Sequence, residues 1–443
     1  MRRKVIWTVL VAVVSGFLLS GAAAAQEVVL TMWHWETPPH RVRAQEALLQ
    51  EFYEQTGIRV RQEPINFPDY QRKILSAIAA NQLPEMIQVN PPQLMTLLSH
   101  RALLPVDELL ERLNQAYGFP APFIEQYRVD GHQYGIPVFG IVWPVQWRKD
   151  MLSEVGFANP PSTWDELLTF ASKATLDRNN DGRIDIYGFG LPVSRNGNYG
   201  SQVVWGFLRS NGGDVVDATG PKDRIIFNSP ETVETYRFLA NLARYTAPGA
   251  ENMDWGMGEL MLKSGQAAAM VYTGGFLSEL DRTNPSLAAQ FVTTQLPLSP
   301  KGRRVHTGYV RAITVTTAAR SPAKQEALRR FLEWLYAPEN YARYMMMEPI
   351  LYVPVTTSVA AEGSPFWKHL LIGKYRQTVE TQIAALKASE VIGFTKGHSK
   401  NAGALEGAFL LGEVLQKIVI DGWTPEQAIA WGHQRYEEIV AGL

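Results

Sequence analysis

Val28-Val29-Leu30-Thr31-Met32-Trp33-His34-Trp35-Glu36, running into the break Pro38-Pro39, opens the part of the chain whose reading decides the fold. Val28 to Met32 reads as a strand. A helix follows from about Arg41 to Gln55, with Leu48, Leu49 and Phe52 on one face and Gly57 as a left-handed cap. Ile58, Val60 and Gln62 alternate as a second strand, Tyr70 to Ala80 reads as a second helix, and Met86 to Val89 as a third, buried strand. Repeated β-α-β with short connections implies a parallel sheet clad by helices, an α/β fold whose ligands bind beyond the carboxyl ends of the strands. Those ends are Trp33 to Glu36, Ile65-Asn66-Phe67 and Asn90-Pro91-Pro92.

The segment ahead of this unit reads as an export signal. Arg2, Arg3 and Lys4 form a positive start, Val5 to Leu19 an apolar stretch too short for a membrane span, and Ala23-Ala24-Ala25 a small-residue cleavage site. Cleavage after residue 25 predicts a periplasmic or secreted protein. With no cysteine in 443 residues, a lipid anchor, disulfides, thiolate metal sites and thiol nucleophiles are all excluded. The length exceeds what a single core supports, so more than one domain is expected. The 42 basic and 43 acidic residues nearly balance, which favours neither nucleic acid nor an anionic membrane surface. The compositional clue is aromatic: 12 Trp, 17 Tyr and 18 Phe, with several tryptophans outside any core pattern.

Further along, Thr163 and Glu166 have capping-box spacing, and Ser229-Pro230, Ser321-Pro322 and Thr424-Pro425 each place a hydroxyl at a cap and proline at the first helical position. From about Ser321 to Leu443 the chain reads as mostly helical, interrupted by Tyr352 to Val355 and by the stretch from Gly393 to Gly403. No internal repeat or low-complexity linker announces a domain boundary.

Ordered short motifs carry a family resemblance across the chain. They are Leu48 to Gly57, Leu83-Pro84-Glu85-Met86, Leu103 to Asp107, Tyr134-Gly135-Ile136-Pro137, Pro161-Ser162-Thr163-Trp164-Asp165-Glu166-Leu167, Gly265 to Met270 and Gly274-Gly275-Phe276. In this order they resemble the extracellular solute-binding proteins of family 1, the maltose-binding-protein-like sugar receptors of ABC importers. The second motif departs from the pattern, since the family more often has Pro-Asp there. The resemblance implies a periplasmic-binding-protein type II fold: two lobes joined by crossover segments, with a ligand cleft between them. It implies a first lobe of residues 26–140 plus about 309–355, and a second of 141–308 plus about 356–443, crossing between Tyr134 and Gly140. It also implies a small-molecule carbohydrate ligand captured by lobe closure, delivery to ABC permease transmembrane subunits, a monomer, no cofactor, and no enzymatic activity.

Sugars present hydroxyl edges and apolar C–H faces, so their sites need flat aromatic platforms beside carboxylates and amides. Trp33, Trp35 and Glu36 after the first strand fit that need, as do Asn66 and Asn90 after the second and third. Trp143 follows the expected crossing, Tyr199 and Trp205 lie beyond Arg195 to Asn198, Thr273 and Gly275 close the alanine-rich strand, and Tyr309 and Arg311 mark the return crossing. Where many relatives carry a tyrosine-asparagine pair, this chain has Trp147-Arg148.

Competing readings stay open. Arg195 and Arg311 suit an anionic group, which keeps a polyol, glycerophosphodiester or peptide receptor in play. A secreted glycosidase or lyase needs two carboxylates, for which Glu36, Asp69 and Glu85 are candidates. No Gly-x-Ser-x-Gly elbow, phosphate loop or dinucleotide fingerprint occurs. Asp177 to Asp185 follows a calcium loop through its turn glycine, Gly182, but position 12 is Gly188 in place of glutamate, which favours a plain Asx turn over a metal site.

Overall fold

The computed structural model describes residues 28–195 and 197–442; the expected export signal, residues 1–25, lies outside them. The strands Val29–His34, Arg59–Pro64 and Met86–Val89 pair in parallel, with Val29–His34 between the other two. The intervening helices run Pro39–Thr56 and Phe67–Ala80, ended by left-handed Gly57 and Asn81. Leu48, Leu49 and Phe52 are buried, as their spacing requires.

What makes this sheet part of a two-lobed protein is a strand that arrives from far along the chain. Gly308–Thr316 inserts antiparallel beside Met86–Val89 and, on its other side, pairs with Leu103–Leu104 and Ile136–Val142. A second sheet is built separately, with Val145–Arg148 between Ala269–Val271 and Phe291–Thr294. The chain leaves the first sheet at Val142 and enters the second at Val145; it returns between Thr294 and Gly308. The Trp143 N–H donates to the Thr307 carbonyl at 3.2 Å, so the two crossings are tied together.

Tyr134 to Gly140, the expected crossing, instead belongs largely to the first sheet. Gly140 exchanges both backbone hydrogen bonds with Val353, at 2.8 and 2.9 Å, and is held in place. Its missing side chain serves close approach, since a Cβ there would lie 2.0 Å from Cδ2 of Leu386. Leu386 sits on helix Arg376–Lys387, which packs across both sheets behind the crossings. From the same helix, Gln382 accepts from the Gly274 N–H at 2.7 Å and donates to the Ile350 carbonyl at 2.6 Å.

The helix starts follow their caps. Side chains of Thr163, Ser229, Ser321 and Thr424 each accept a backbone N–H from three residues on. The Glu166 carboxylate turns back to the Ser162 N–H at 2.7 Å, one residue before the cap position that the box predicts. Helix Tyr199–Ser210 is buried on every side and forms the centre of the second lobe. Among the described residues, no helix is long and apolar enough to cross a membrane.

The calcium-like loop is closed by its own backbone. Asp177 accepts the N–H groups of Asp181 and Gly182 at 3.2 and 2.8 Å, and Asp185 accepts that of Arg178 at 2.7 Å. A side chain at position 188 has no room, because a Cβ would sit 1.9 Å from the Ala171 carbonyl oxygen. Gly188→Glu is therefore expected to lower the melting temperature, at a cost of about 3 kcal/mol or more from overpacking, and to leave it insensitive to added calcium. A variant that melts normally and is stabilised by calcium would show that only the missing carboxylate separates this loop from a metal site.

Candidate functional site

A cavity of about 800 Å³ opens between the two sheets, with the crossing segments as its floor. Trp35, Arg41 and Asn90 line it from the first lobe, and Trp143, Tyr309 and Arg311 from the crossings. The second lobe contributes Gln202, Trp255, Tyr272, Thr273, Gly275 and Phe276, with Glu259, Ser278, Glu279 and Arg282 further along the wall.

One wall is aromatic. Trp143 stacks on Trp255 at 5.3 Å with 29° between planes, and Tyr309 meets Trp143 edge-on at 5.7 Å. Tyr199 lies against the Trp255 ring at 4.0 Å, and Asn198 accepts from the Trp255 indole N–H at 2.7 Å. Tyr272 donates to the Trp255 carbonyl at 2.9 Å. Each ring is thus held by its neighbours, which pre-organises a flat apolar surface.

The other wall is charged and built of ion pairs, though Arg311 Nε and Nη1 are buried without a hydrogen-bond partner among the described residues. Glu36 is buried, and its Oε2 accepts from Arg41 Nη1 and from the Tyr352 hydroxyl, both at 2.6 Å. Arg311 Nη1 stands 3.4 Å from Glu36 Oε1, and its guanidinium covers the Trp35 ring at 4.1 Å. Burial pushes the Glu36 carboxyl up, but Arg311, Arg41 and the Tyr352 hydroxyl outweigh it and hold the group below the usual glutamate range. Arg41 Nε also donates to Glu348 at 2.6 Å, and His40 meets the same oxygen at 2.7 Å. Across the opening, Lys263 bonds Glu259 at 2.9 Å and also Glu279. The hydrogen bond from Lys263, with a smaller effect from Arg282, keeps the Glu279 carboxyl low.

Opposite Arg311 the facing strand breaks the ladder. The register between Gly308–Thr316 and Ile136–Val142 shifts between Arg311 and Ala312, which pair with Phe139 and Pro137, leaving Val138 extra. Such a bulge re-aims a side chain beside a site.

Of the residues expected from sequence, Trp35, Asn90, Trp143, Thr273, Gly275, Tyr309 and Arg311 line the cavity. Glu36 sits behind the wall, orienting two arginines. Trp33 does not reach the cavity, because its strand continues to His34 and it is still paired with both Glu63 and Ile87. Its ring packs in the core with Lys73 4.4 Å above it. Asn66 follows the strand at the far edge of the sheet and is exposed, away from the crossings. Tyr199 bonds the Val271 carbonyl at 2.8 Å and supports Trp255 from behind. Trp205 is core: its N–H donates to the Glu390 carbonyl at 2.7 Å. Trp147 is fully buried on Thr294, and Arg148 binds Gly265 and Asp150, so the departure from the tyrosine-asparagine pair falls inside the second lobe.

Sequence reasoning missed Trp255, His40, Arg41, Gln202, Glu259 and Glu348. Trp255 carried a usable signal, an aromatic at a helix start capped by Asp254, which accepts the Met257 N–H at 2.9 Å. Gln202 lies inside an apolar helix and Glu348 in a turn, and neither position is marked locally.

With this geometry in place, the likenesses to other proteins can be read. The chain is 25% identical over 370 residues to the Escherichia coli (strain K12) protein YcjN, named as an ABC transporter periplasmic-binding protein, covering 81% of this chain and 80% of that one. The fold matches T. maritima MalE3 with maltose bound at a TM-score of 0.74 and 19% identity, over 93% of this chain and 99% of that chain. It also matches an Agrobacterium radiobacter K84 ABC transporter solute-binding protein in complex with ribitol at a TM-score of 0.74 and 17% identity, over 93% and 98%. Residues 47–371 match the family described as bacterial extracellular solute-binding proteins, and the chain belongs to that family.

Proposed function

We propose that this protein is the exported, monomeric receptor of an ABC importer, which captures a neutral carbohydrate or polyol between its lobes and passes it to a permease without reacting it. The observation that carries this reading is the cavity itself: stacked rings of Trp143 and Trp255 face a wall whose cations are matched by carboxylates. Apolar sugar faces suit the rings, and paired charges offer alternating donors and acceptors to hydroxyls. A site for a phosphodiester or other anion would need cations in excess of carboxylates, whereas Arg41 holds Glu36 and Glu348 and Arg311 stands 3.4 Å from Glu36, with its buried Nε and Nη1 left to donate to a ligand oxygen. The relatives agree, since one is named for ABC transport and two structural neighbours hold maltose and ribitol.

The sheets suggest lobes of about 28–142 with 308–360, and 145–294 with the C-terminal helices, so that closure turns on Trp143-Pro144 and on the return before Gly308. The candidate carboxylates are not arranged as a glycosidase needs. Glu36 is held ionised by two arginines, Asp69 pairs with Arg72, and Glu85 is bound by Lys324 and the Thr31 N–H. None of the three lines the cavity, and the carboxylates that do, Glu259, Glu279 and Glu348, are held by cations, the first two by Lys263 and the third by Arg41.

A thermal-shift screen of mono- and oligosaccharides, polyols and glycerophosphodiesters tests the proposal. A true ligand at a hundredfold excess over its Kd is expected to add about 2.7 kcal/mol of apparent stability. X-ray scattering on the same sample is expected to show a smaller radius of gyration with ligand, and chromatography to recover the ligand unchanged. Stabilisation by glycerophosphodiesters alone would overturn the neutral-ligand reading, and an unchanged radius would overturn closure. Product formation would turn the reading toward an enzyme.

A further inference from the structure

The C-terminal half contains a strap that runs behind the cavity lining. Residues 389–409 are anchored on the second lobe, where Thr395 donates to Asp214 at 2.7 Å and Ser399 and Asn401 donate to Asp223 at 2.5 and 2.8 Å. Between these anchors and Gly412, which donates to Ser201 at 3.0 Å, the short helix Ala402–Gly407 packs on helix Pro91–Ser99 of the first lobe. Approach is close enough that a Cβ on Gly403 would lie 3.4 Å from the Pro92 carbonyl oxygen. The strap thus reaches from one lobe to the other beside Asn90.

From this helix Glu406 extends to the cavity floor and accepts the Tyr309 hydroxyl proton. The Tyr309 oxygen accepts in turn from Gln202 Nε2 at 3.2 Å. Tyr309 and Gln202 both line the cavity, and Gln202 Oε1 is buried with no partner in the protein. The relay therefore ends on an acceptor that a ligand hydroxyl would satisfy, since a buried carbonyl oxygen left unpaired costs free energy.

We propose that Glu406 is a positioning residue for ligand recognition, holding the Tyr309 hydroxyl and setting, through its own protonation, whether that hydroxyl offers a lone pair or a proton to the cavity. This rests on the cavity being the ligand site. When Glu406 is ionised, the tyrosine proton is committed to it and only oxygen lone pairs remain. When Glu406 is protonated, its proton can go to the tyrosine oxygen and the tyrosine proton to the ligand. No proton is lost in the exchange within the pair.

The surroundings leave this carboxyl alone. Its own helix and helix Pro91–Ser99 carry no other charged side chain. On helix Tyr199–Ser210 the one charge, Arg209, is taken by Glu390 and Asp214. On the return strand, Arg311 is paired with Glu36, and on helix Pro425–Ala441, which also packs on the Glu406 helix, Arg435 is held by Glu438, His433 lies beside Glu437 and Glu426 is held by Arg237. With no cation to hold it ionised, loss of water around this part-buried side chain pushes the Glu406 carboxyl up to about 7, against the smaller opposing effect of the Tyr309 bond. A carboxyl raised in this way is cheapest to bury at low pH, and the cost grows as pH rises from the ordinary glutamate range through 7. A ligand that expels further water favours the neutral form, so affinity should fall as pH rises.

Two measurements decide it. Melting temperatures of ligand-free wild type, Glu406→Gln and Tyr309→Phe are followed from pH 5 to 8.5. Wild type is expected to lose stability relative to Glu406→Gln up to about pH 7 and then run parallel, and Tyr309→Phe to move that break upward, because Glu406 loses the hydroxyl that donates to it. Calorimetry with maltose as the neutral probe is expected to show Kd weakening about fivefold from pH 6 to 8 in wild type, as a carboxyl raised one further unit by the ligand would give, and no pH dependence in Glu406→Gln. Parallel melting profiles, or the same pH dependence of maltose binding in both proteins, would overturn the role of Glu406. Absence of maltose binding at any pH would mean that the ligand is another sugar or polyol, and the melting profiles then decide on Glu406 by themselves.

Discussion

Glu36→Ala is expected to be the most destabilising single change in the charged cluster behind the cavity wall, costing about 3–5 kcal/mol at neutral pH. The reason is what remains. Arg41 keeps Glu348, but Arg311 is left buried against Trp35 with no carboxylate, and the Tyr352 hydroxyl loses its acceptor. For a lobe of this size that corresponds to a melting temperature lower by roughly 10 °C. Glu36→Gln separates charge from shape, because the amide can still accept from Tyr352 but cannot neutralise two guanidiniums. The sign with pH follows from the depressed carboxyl: its contribution is present above the ordinary glutamate value and is lost as pH falls below that value toward the folded one. Wild type and Glu36→Gln should therefore differ most above about pH 5 and converge in acid. Melting curves of the three proteins from pH 3 to 8 provide the check. A Glu36→Ala protein that melts within about 2 °C of wild type at pH 7 would mean that Arg311 finds another partner, and that the wall is not held by this carboxylate.

The second large effect divides the tryptophans. Trp143→Ala removes one member of the Trp143–Trp255 stack from the cavity, and is expected to cost about 2 kcal/mol or more in ligand binding, roughly thirtyfold in affinity. Trp33→Ala is expected to do the reverse. It empties a core position between two paired strands and should cost about 3–5 kcal/mol of stability while leaving affinity nearly unchanged. Calorimetry with the best ligand from the screen, together with unliganded melting curves, distinguishes the two. If Trp33→Ala loses binding and Trp143→Ala does not, the ligand sits deeper in the first lobe than the cavity between the sheets.

The contrast between Trp33 and Trp35 shows how far local sequence reaches. Both follow an apolar run and both belong near a strand end, yet two residues separate a core side chain from a cavity wall. The difference is the length of pairing on either side, which depends on Arg59–Pro64 and Met86–Val89. Gly140 makes the same point from the opposite direction. As a glycine near a crossing it suggests flexibility, but it is held by Val353 and left bare for Leu386, both more than two hundred residues away.

What the sequence determined by itself is whatever neighbouring residues decide. The alternation of strands and helices through Val89, the caps at Thr163, Ser229, Ser321 and Thr424, and the glycine ends of helices depend on backbone hydrogen bonding within a few residues, and they appear where the sequence puts them. The order of short motifs carried the family and the two-lobed α/β plan for the same reason, since each marks a local element in a fixed succession. Only the tertiary structure decided which of twelve tryptophans face the cavity, where the chain passes between lobes, and how Glu36, Arg41, Arg311, Glu348 and Tyr352 meet. Those five side chains come from opposite ends of the chain, and their pairing is a matter of through-space electrostatics in a buried site, which no window of sequence contains.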